Sequence, residues 1–136
     1  MTLNLSHLDH FVLTVADIDA SCAFYEQIGM RVVTFGAGRN ALQFGSQKIN
    51  LHQKGQEFEP KAAAPTAGSG DFCLISTDHI ETVIAHLQKN SLVIEDGPVG
   101  RTGAMGAITS VYLRDPDRNL VEIAVYGSGP THRPER

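Results

Sequence analysis

Apolar and polar positions alternate over residues 10–15, HFVLTV, where Phe11, Leu13 and Val15 share one parity and His10, Val12 and Thr14 the other. A period of two marks a strand with two unlike faces, so one face packs and the other can look into a cavity. At Asp17 the period changes. Asp17 suits a helix N-cap, Ile18, Cys22 and Tyr25 follow at helical spacing, and Gly29 suits the residue that closes the helix, predicting a helix over 17–29. Strand-like runs follow at 30–35, 41–44 and 48–52, separated by Gly36-Ala37-Gly38 and Gly45-Ser46. The order is β-α-β-β-β.

The same phrase then recurs. Residues 71–76 alternate like a strand, Asp78-His79-Ile80-Glu81 resembles a capping box, and Ile80, Val83, Ile84 and Leu87 form an apolar stripe, predicting a helix over 79–90. Strands are expected at 92–95, 108–113 and 120–126, the last preceded by the turn Arg114-Asp115-Pro116-Asp117-Arg118-Asn119. Between the modules, residues 54–70 are rich in Gly, Pro, Ala and charge and read as a linker; residues 128–136 read as a flexible tail. The predicted organisation is one domain over 6–127, with module one at 6–53 and module two at 71–127.

The repeat carries one misfit. Asp17 follows His10, and Asp78 follows Asp71, at the same spacing, but the second helix stripe lies one residue later. A bulge near residues 75–77 would absorb it and keep Asp71 as the counterpart of His10; the other solution makes Phe72 the counterpart.

Composition narrows the function classes. A chain of 136 residues with 42% hydrophobic content suits one core, and a net charge of −4 with scattered Lys and Arg shows no footprint for nucleic acid or a membrane surface. Small molecules and further copies of the chain are the expected partners. The N-terminal residues have neither the basic start nor the apolar run of a signal peptide, and a cytoplasmic protein is expected. Cys22 and Cys73 have no metal-ligand spacing and are expected to be reduced and buried. The glycine-rich segment 97–106 lacks strand-turn-helix grammar for phosphate binding and reads as a mobile flap, on which Arg101, with Arg39 elsewhere, could clamp an anionic substrate. His7, His79, His86 and His132 read as solvated surface.

The stretches LDHFVLTVADIDASCAFYEQIGM and VYLRDPDRNLVEIAVY together resemble the vicinal oxygen chelate superfamily, which contains glyoxalase I, fosfomycin and bleomycin resistance proteins, methylmalonyl-CoA epimerase and extradiol dioxygenases. The resemblance spans about residues 6–127 and is nearest to the glyoxalase-domain-containing subgroup. It implies an α+β fold of two β-α-β-β-β modules whose sheets form an open, cup-shaped mixed sheet around a divalent metal. Ligands in that family come from the first and last strands of each module. His10 matches the first-strand ligand and Glu122 the glutamate after the Asp-Pro-Asp turn; Asp71 stands where many members have His, and Asn50 where glyoxalases have Glu. His52 shares the strand face of Asn50 and is a substitute ligand or a substrate contact. Arg118 replaces the glycine common after that turn.

Imidazole and carboxylate donors without thiolate suit Ni, Zn, Co, Mn or Fe. The resemblance implies a metal-dependent lyase or isomerase of the glyoxalase type, like lactoylglutathione lyase, in a homodimer. It would act on a small oxygenated metabolite or glutathione adduct through an enediolate, with Glu122 as base and Asp71 as second proton carrier. Two alternatives stand beside it: an Fe(II) dioxygenase, which needs a second histidine, and a non-enzymatic small-molecule binding protein of the resistance kind.

Overall fold

The computed structural model describes residues 2–127, so the tail expected at 128–136, with His132, lies outside the described residues. The chain divides into two compact units, one ending at Ala67 and the other beginning at Gly68.

The first unit contains β1 (His10–Val15), α1 (Ile18–Gln27), β2 (Arg31–Phe35), β3 (Arg39–Phe44) and β4 (Gln47–Gln53). Its four strands lie in the order β1-β4-β3-β2; β1 runs parallel to β4 and the other pairs are antiparallel. The last strand in sequence is therefore an interior strand. Asp17 caps α1 as predicted, its Oδ1 accepting from the backbone N–H groups of Asp19 (2.9 Å) and Ala20 (3.3 Å), and Gly29 follows the helix with φ +102°. The helix buries Ser21, Phe24 and Tyr25 rather than a stripe through Ile18 and Cys22. It packs on β2, β3 and β4, over the strand parity that holds Leu13, Val15, Leu42, Ile49 and Leu51. Each such large apolar side chain removed from water contributes about 1.5–3 kcal/mol.

The second unit repeats the topology with β5 (Asp71–Ile75), α2 (Ile80–Lys89), β6 (Asp96–Gly103), β7 (Gly106–Arg114) and β8 (Leu120–Tyr126), in the order β5-β8-β7-β6. Strands β5 and β8 are parallel, and α2 packs Ile80, Val83 and Leu87 toward β7 and β8.

Three expectations for this unit fail. Residues 92–95 are not a strand: Leu92 donates to the carbonyl of Leu87 as the chain leaves α2, and Val93 is exposed. The glycine-rich segment expected to be a mobile flap is instead the edge strand β6, running antiparallel to β7 with a register shift between Asp96 and Val99. Its Gly and Pro content disguised a strand that an edge position tolerates, because the outer N–H row needs no partner within the sheet. Asp78 is not the N-cap of α2; that position is His79, whose side chain makes no capping bond, while Asp78 binds Ser76 through backbone and side chain.

The misfit between the halves also resolves differently. Pairing of β5 with β8 runs without a shift from Asp71 opposite Leu120 to Ile75 opposite Ala124, so no bulge lies in the strand. The extra residue sits in the turn before α2, where Thr77, Asp78 and His79 replace the Ala16 and Asp17 of the first unit.

Candidate functional site

In the first unit, the sheet parity opposite the α1 core brings His10, Val12 and Thr14 of β1 beside Lys48, Asn50 and His52 of β4, in the pairs His10–Lys48, Val12–Asn50 and Thr14–His52. On β3, Ala41 pairs with Asn50 and Gln43 with Lys48, so Arg39 falls at the level of His52. One face thus collects His10, Lys48, Asn50, His52 and Arg39.

His10 is half-exposed and its Nδ1 lies 2.7 Å from Asp9 Oδ2, leaving Nε2 as the ring nitrogen for another partner. That hydrogen bond is the main reason the Asp9 carboxyl lies below its usual range. Asn50 is buried, and its side-chain Oδ1 has no hydrogen-bond partner among the described residues. An unpaired buried amide oxygen costs about 1–3 kcal/mol unless something meets it. His52 is also buried and accepts from Arg39 Nη2 at 3.3 Å through Nε2. Burial, and then the Arg39 charge, hold its pKa below the ordinary histidine value against an opposing pull from Glu57. Arg39 lies over the rings of Phe35 (5.0 Å) and Phe58 (4.6 Å), Lys48 Nζ lies 3.8 Å from the Phe35 centroid, and Phe58 comes from the segment after β4.

In the second unit Glu122 of β8 is flanked by Cys73 of β5 and Tyr112 of β7, both directly opposite it in the ladders. Ser110 Oγ donates to Glu122 Oε2 at 2.5 Å. Burial, and then the Glu122 charge, push the Cys73 thiol up to about 12. The Tyr112 hydroxyl is raised too, by burial first, with a smaller contribution from Glu122 and an opposing hydrogen bond from Arg101. Arg101 therefore does not ride on a flap: it sits half-buried on β6, donates Nε to Tyr112 Oη (3.0 Å) and Nη1 to the Gly100 carbonyl (3.0 Å), and approaches Asp96 (3.9 Å). Asp71 is exposed at the start of β5, diagonal to Glu122, where its charge acts on Arg114.

The turn before β8 fixes this arrangement. Asp115 Oδ1 accepts from the N–H groups of Asp117 and Asn119, Asn119 Nδ2 donates to Asp115 Oδ2, and Asn119 Oδ1 accepts from Gly70 N–H beside the start of β5. Arg118 adopts φ +70°, the left-handed conformation its glycine counterpart would take, and the turn is kept.

The registers make His10 and Asp71 equivalent in the two units, and Asn50 and Glu122 likewise, since each of the last two lies two residues beyond the partner of the first. Each unit thus presents two of the four expected donors on one face. Among the described residues, no three His, Cys, Asp or Glu side chains are grouped so as to hold a metal ion. As donor chemistry, the anchored imidazole and orphaned amide oxygen of the first unit and the oriented carboxylate of the second are each of a kind that divalent ions of the borderline or hard class accept. Sequence reasoning missed Ser110, Tyr112 and Cys73 around Glu122, although Ser110 and Tyr112 share strand parity; nothing in the residue pattern signalled Phe58.

Residues 7–123 match the family described as the Glyoxalase/Bleomycin resistance protein/Dioxygenase superfamily. The chain is 54% identical over 124 residues to the glyoxalase domain-containing protein RDO1 of Mycosarcoma maydis, covering 91% of this chain and 70% of that one. An integron cassette protein from the mobile metagenome of V. cholerae has the same fold at a TM-score of 0.91, with 54% identity over 93% of this chain and all of that one. Lactoylglutathione lyase from Agrobacterium tumefaciens superposes at a TM-score of 0.69 with 25% identity, over 90% of this chain and 95% of that one. Among the described residues no helix is long and apolar enough to cross a membrane.

Proposed function

The chain belongs to the Glyoxalase/Bleomycin resistance protein/Dioxygenase superfamily, and from that premise we propose that it is a metal-dependent lyase or isomerase of the glyoxalase type. Its substrate would be a small oxygenated metabolite, with lactoylglutathione-lyase-like chemistry as the leading case. The observation that carries this reading is the setting of Glu122: a carboxylate on an interior strand, with one oxygen fixed by Ser110 and with Cys73 and Tyr112 beside it.

In this reading His10 and Asn50 of the first unit and Asp71 and Glu122 of the second would hold a divalent ion, Ni, Zn, Co, Mn or Fe, which when bound would supply a Lewis acid for a substrate carbonyl oxygen. The chain's own groups do the rest. Ser110 holds Glu122 Oε2 and so orients the carboxylate that takes a proton from the carbon next to the carbonyl. Tyr112, its hydroxyl raised and its oxygen hydrogen-bonded to Arg101, stays protonated and is a donor toward developing negative charge. Asp71 is a second proton carrier. Arg39 and His52 receive an anionic end of the substrate, and Arg101 acts by holding Tyr112. A cytoplasmic homodimer is the proposed form, favoured by open edge strands in both sheets.

Incubating metal-loaded protein in D₂O with methylglyoxal–glutathione hemithioacetal, then with α-hydroxy and acyl-thioester candidates, and following deuterium at the α carbon by NMR tests the reading. Incorporation that disappears in Glu122→Gln is the expected result; none with any substrate sinks it. Asn50, a non-ionisable residue at the position equivalent to Glu122, favours a second reading, a small-molecule binding protein that performs no chemistry. The ring-cleaving dioxygenase is less favoured, since its candidate second histidine, His52, has Nε2 hydrogen-bonded to Arg39.

A further inference from the structure

We infer that Arg39, Lys48, Phe35 and Phe58 of the first unit form a recognition site for a small carboxylate that carries an aromatic ring. This rests on the reading of Arg39 and His52 as substrate contacts and names the substrate class. Two cations share this corner of the sheet: Arg39 lies against both phenylalanine rings and Lys48 against Phe35. Neither forms an ion pair among the described residues. The nearby carboxylates are engaged elsewhere, Asp9 with His10 and Glu57 with the Gly55 N–H. Among the described residues the side-chain hydrogen bond of Arg39 goes to His52, and its Nε is buried with no acceptor.

An aromatic face lowers the cost of holding a guanidinium but leaves its N–H groups unmet. A carboxylate can meet the guanidinium through its Nη groups, the Nε being buried, in the paired geometry a guanidinium fork favours. Phe35 and Lys48 also line a cavity of about 380 Å³ with Val33, Gln43 and Asp9; Arg39 and Phe58 stand outside its lining, Arg39 against the Phe35 ring and Phe58 against Arg39. That volume lies at the small end of ligand pockets, suiting one ring and its acid group. An aromatic body gains over an aliphatic one because its π face attracts the same two cations and packs on the same two rings.

Isothermal titration calorimetry in the presence of a chelator, so that neither metal nor turnover enters, tests this with phenylpyruvate, pyruvate (the anion without the ring) and phenylacetone (the ring without the charge). Phenylpyruvate is expected to bind about tenfold or more tighter than either analogue. Arg39→Gln should bring it to the level of phenylacetone, and Phe58→Leu should shrink its margin over pyruvate. Phe58 lies outside the sheet and is part-exposed, so its variant reports on the site even if the arginine variant folds poorly. Equal affinity for the three compounds, or wild-type affinity in both variants, overturns the inference. Because binding is read without chemistry, loss of the lyase reading by the D₂O experiment leaves this result intact, and the reverse also holds.

Discussion

Cys73 and Glu122 stand directly opposite each other on the parallel pair β5 and β8, and the carboxylate helps to push the thiol up to about 12. A thiol is alkylated as its thiolate, so this cysteine should react slowly even though its residue, expected from the sequence to be buried, is only partly covered. In metal-free protein, iodoacetamide labelling of Cys73 followed by mass spectrometry should be slower than that of a model thiol. Glu122→Gln should speed it by removing a negative charge. Unchanged labelling in the variant would mean that the two side chains do not face each other.

Metal affinity should fall by a large factor in His10→Ala and Glu122→Ala and by a smaller one in Asp71→Ala. Removing one donor leaves an incomplete site, while Asp71 is exposed and already acts on Arg114. Calorimetric titration with individual divalent ions measures this, and melting temperature should follow, since an ion held only by the folded chain stabilises it. Equal affinity in all four proteins would remove these residues from the site.

Acid stability carries a signature of Glu95. Arg114 donates Nε and Nη2 to its two carboxylate oxygens, each at 3.0 Å, and this paired hydrogen bond holds the Glu95 pKa below its usual value of 4.5. A carboxyl with a lowered folded pKa stabilises the fold above the unfolded value, and that contribution is lost as pH falls through 4.5 toward the folded pKa. Urea midpoints followed downward through that window should drop more steeply in wild type than in Glu95→Gln. Parallel curves would show that the pair is not formed in solution.

Gly97→Ala should destabilise the chain by more than about 2 kcal/mol. Gly97 has φ +106°, and an added Cβ would lie 2.4 Å from the Ser110 carbonyl oxygen, a backbone atom that cannot swing away. Chemical denaturation reads the loss; a midpoint within error of wild type would mean that β6 is displaced in solution.

The same glycine explains what the residue pattern hid. Strand β1, the Asp17 cap and the place of Glu122 on β8 were legible because alternation and capping act through neighbours in sequence. Strand β6 was not, because Gly97, Pro98, Gly100 and Gly103 spell a loop locally, and only the approach of β7 makes a strand of them. Asp78 failed as a cap for a related reason: it follows the capping rule, yet Ser76 engages it in a turn one residue longer than its counterpart. The four expected donors fell on the first and last strands of their units as foreseen. What surrounds them, Ser110 and Tyr112 in one unit and Phe35 and Phe58 in the other, follows from strand neighbours and a loop distant in sequence.

The strand order has a consequence during synthesis. In both units the strand made last, β4 or β8, inserts between the first strand and the third, so a nascent chain holds a helix, a hairpin and an unpaired first strand until the final segment arrives. Asn50, His52 and Glu122 all ride on these late strands. A chain stalled or cleaved before residue 47 or residue 120 therefore lacks Asn50 and His52, or Glu122, and keeps only His10 or Asp71 of the expected donors of that half, on an unpaired strand. Binding at the proposed sites would then double as an assay of completed translation and folding, one half at a time.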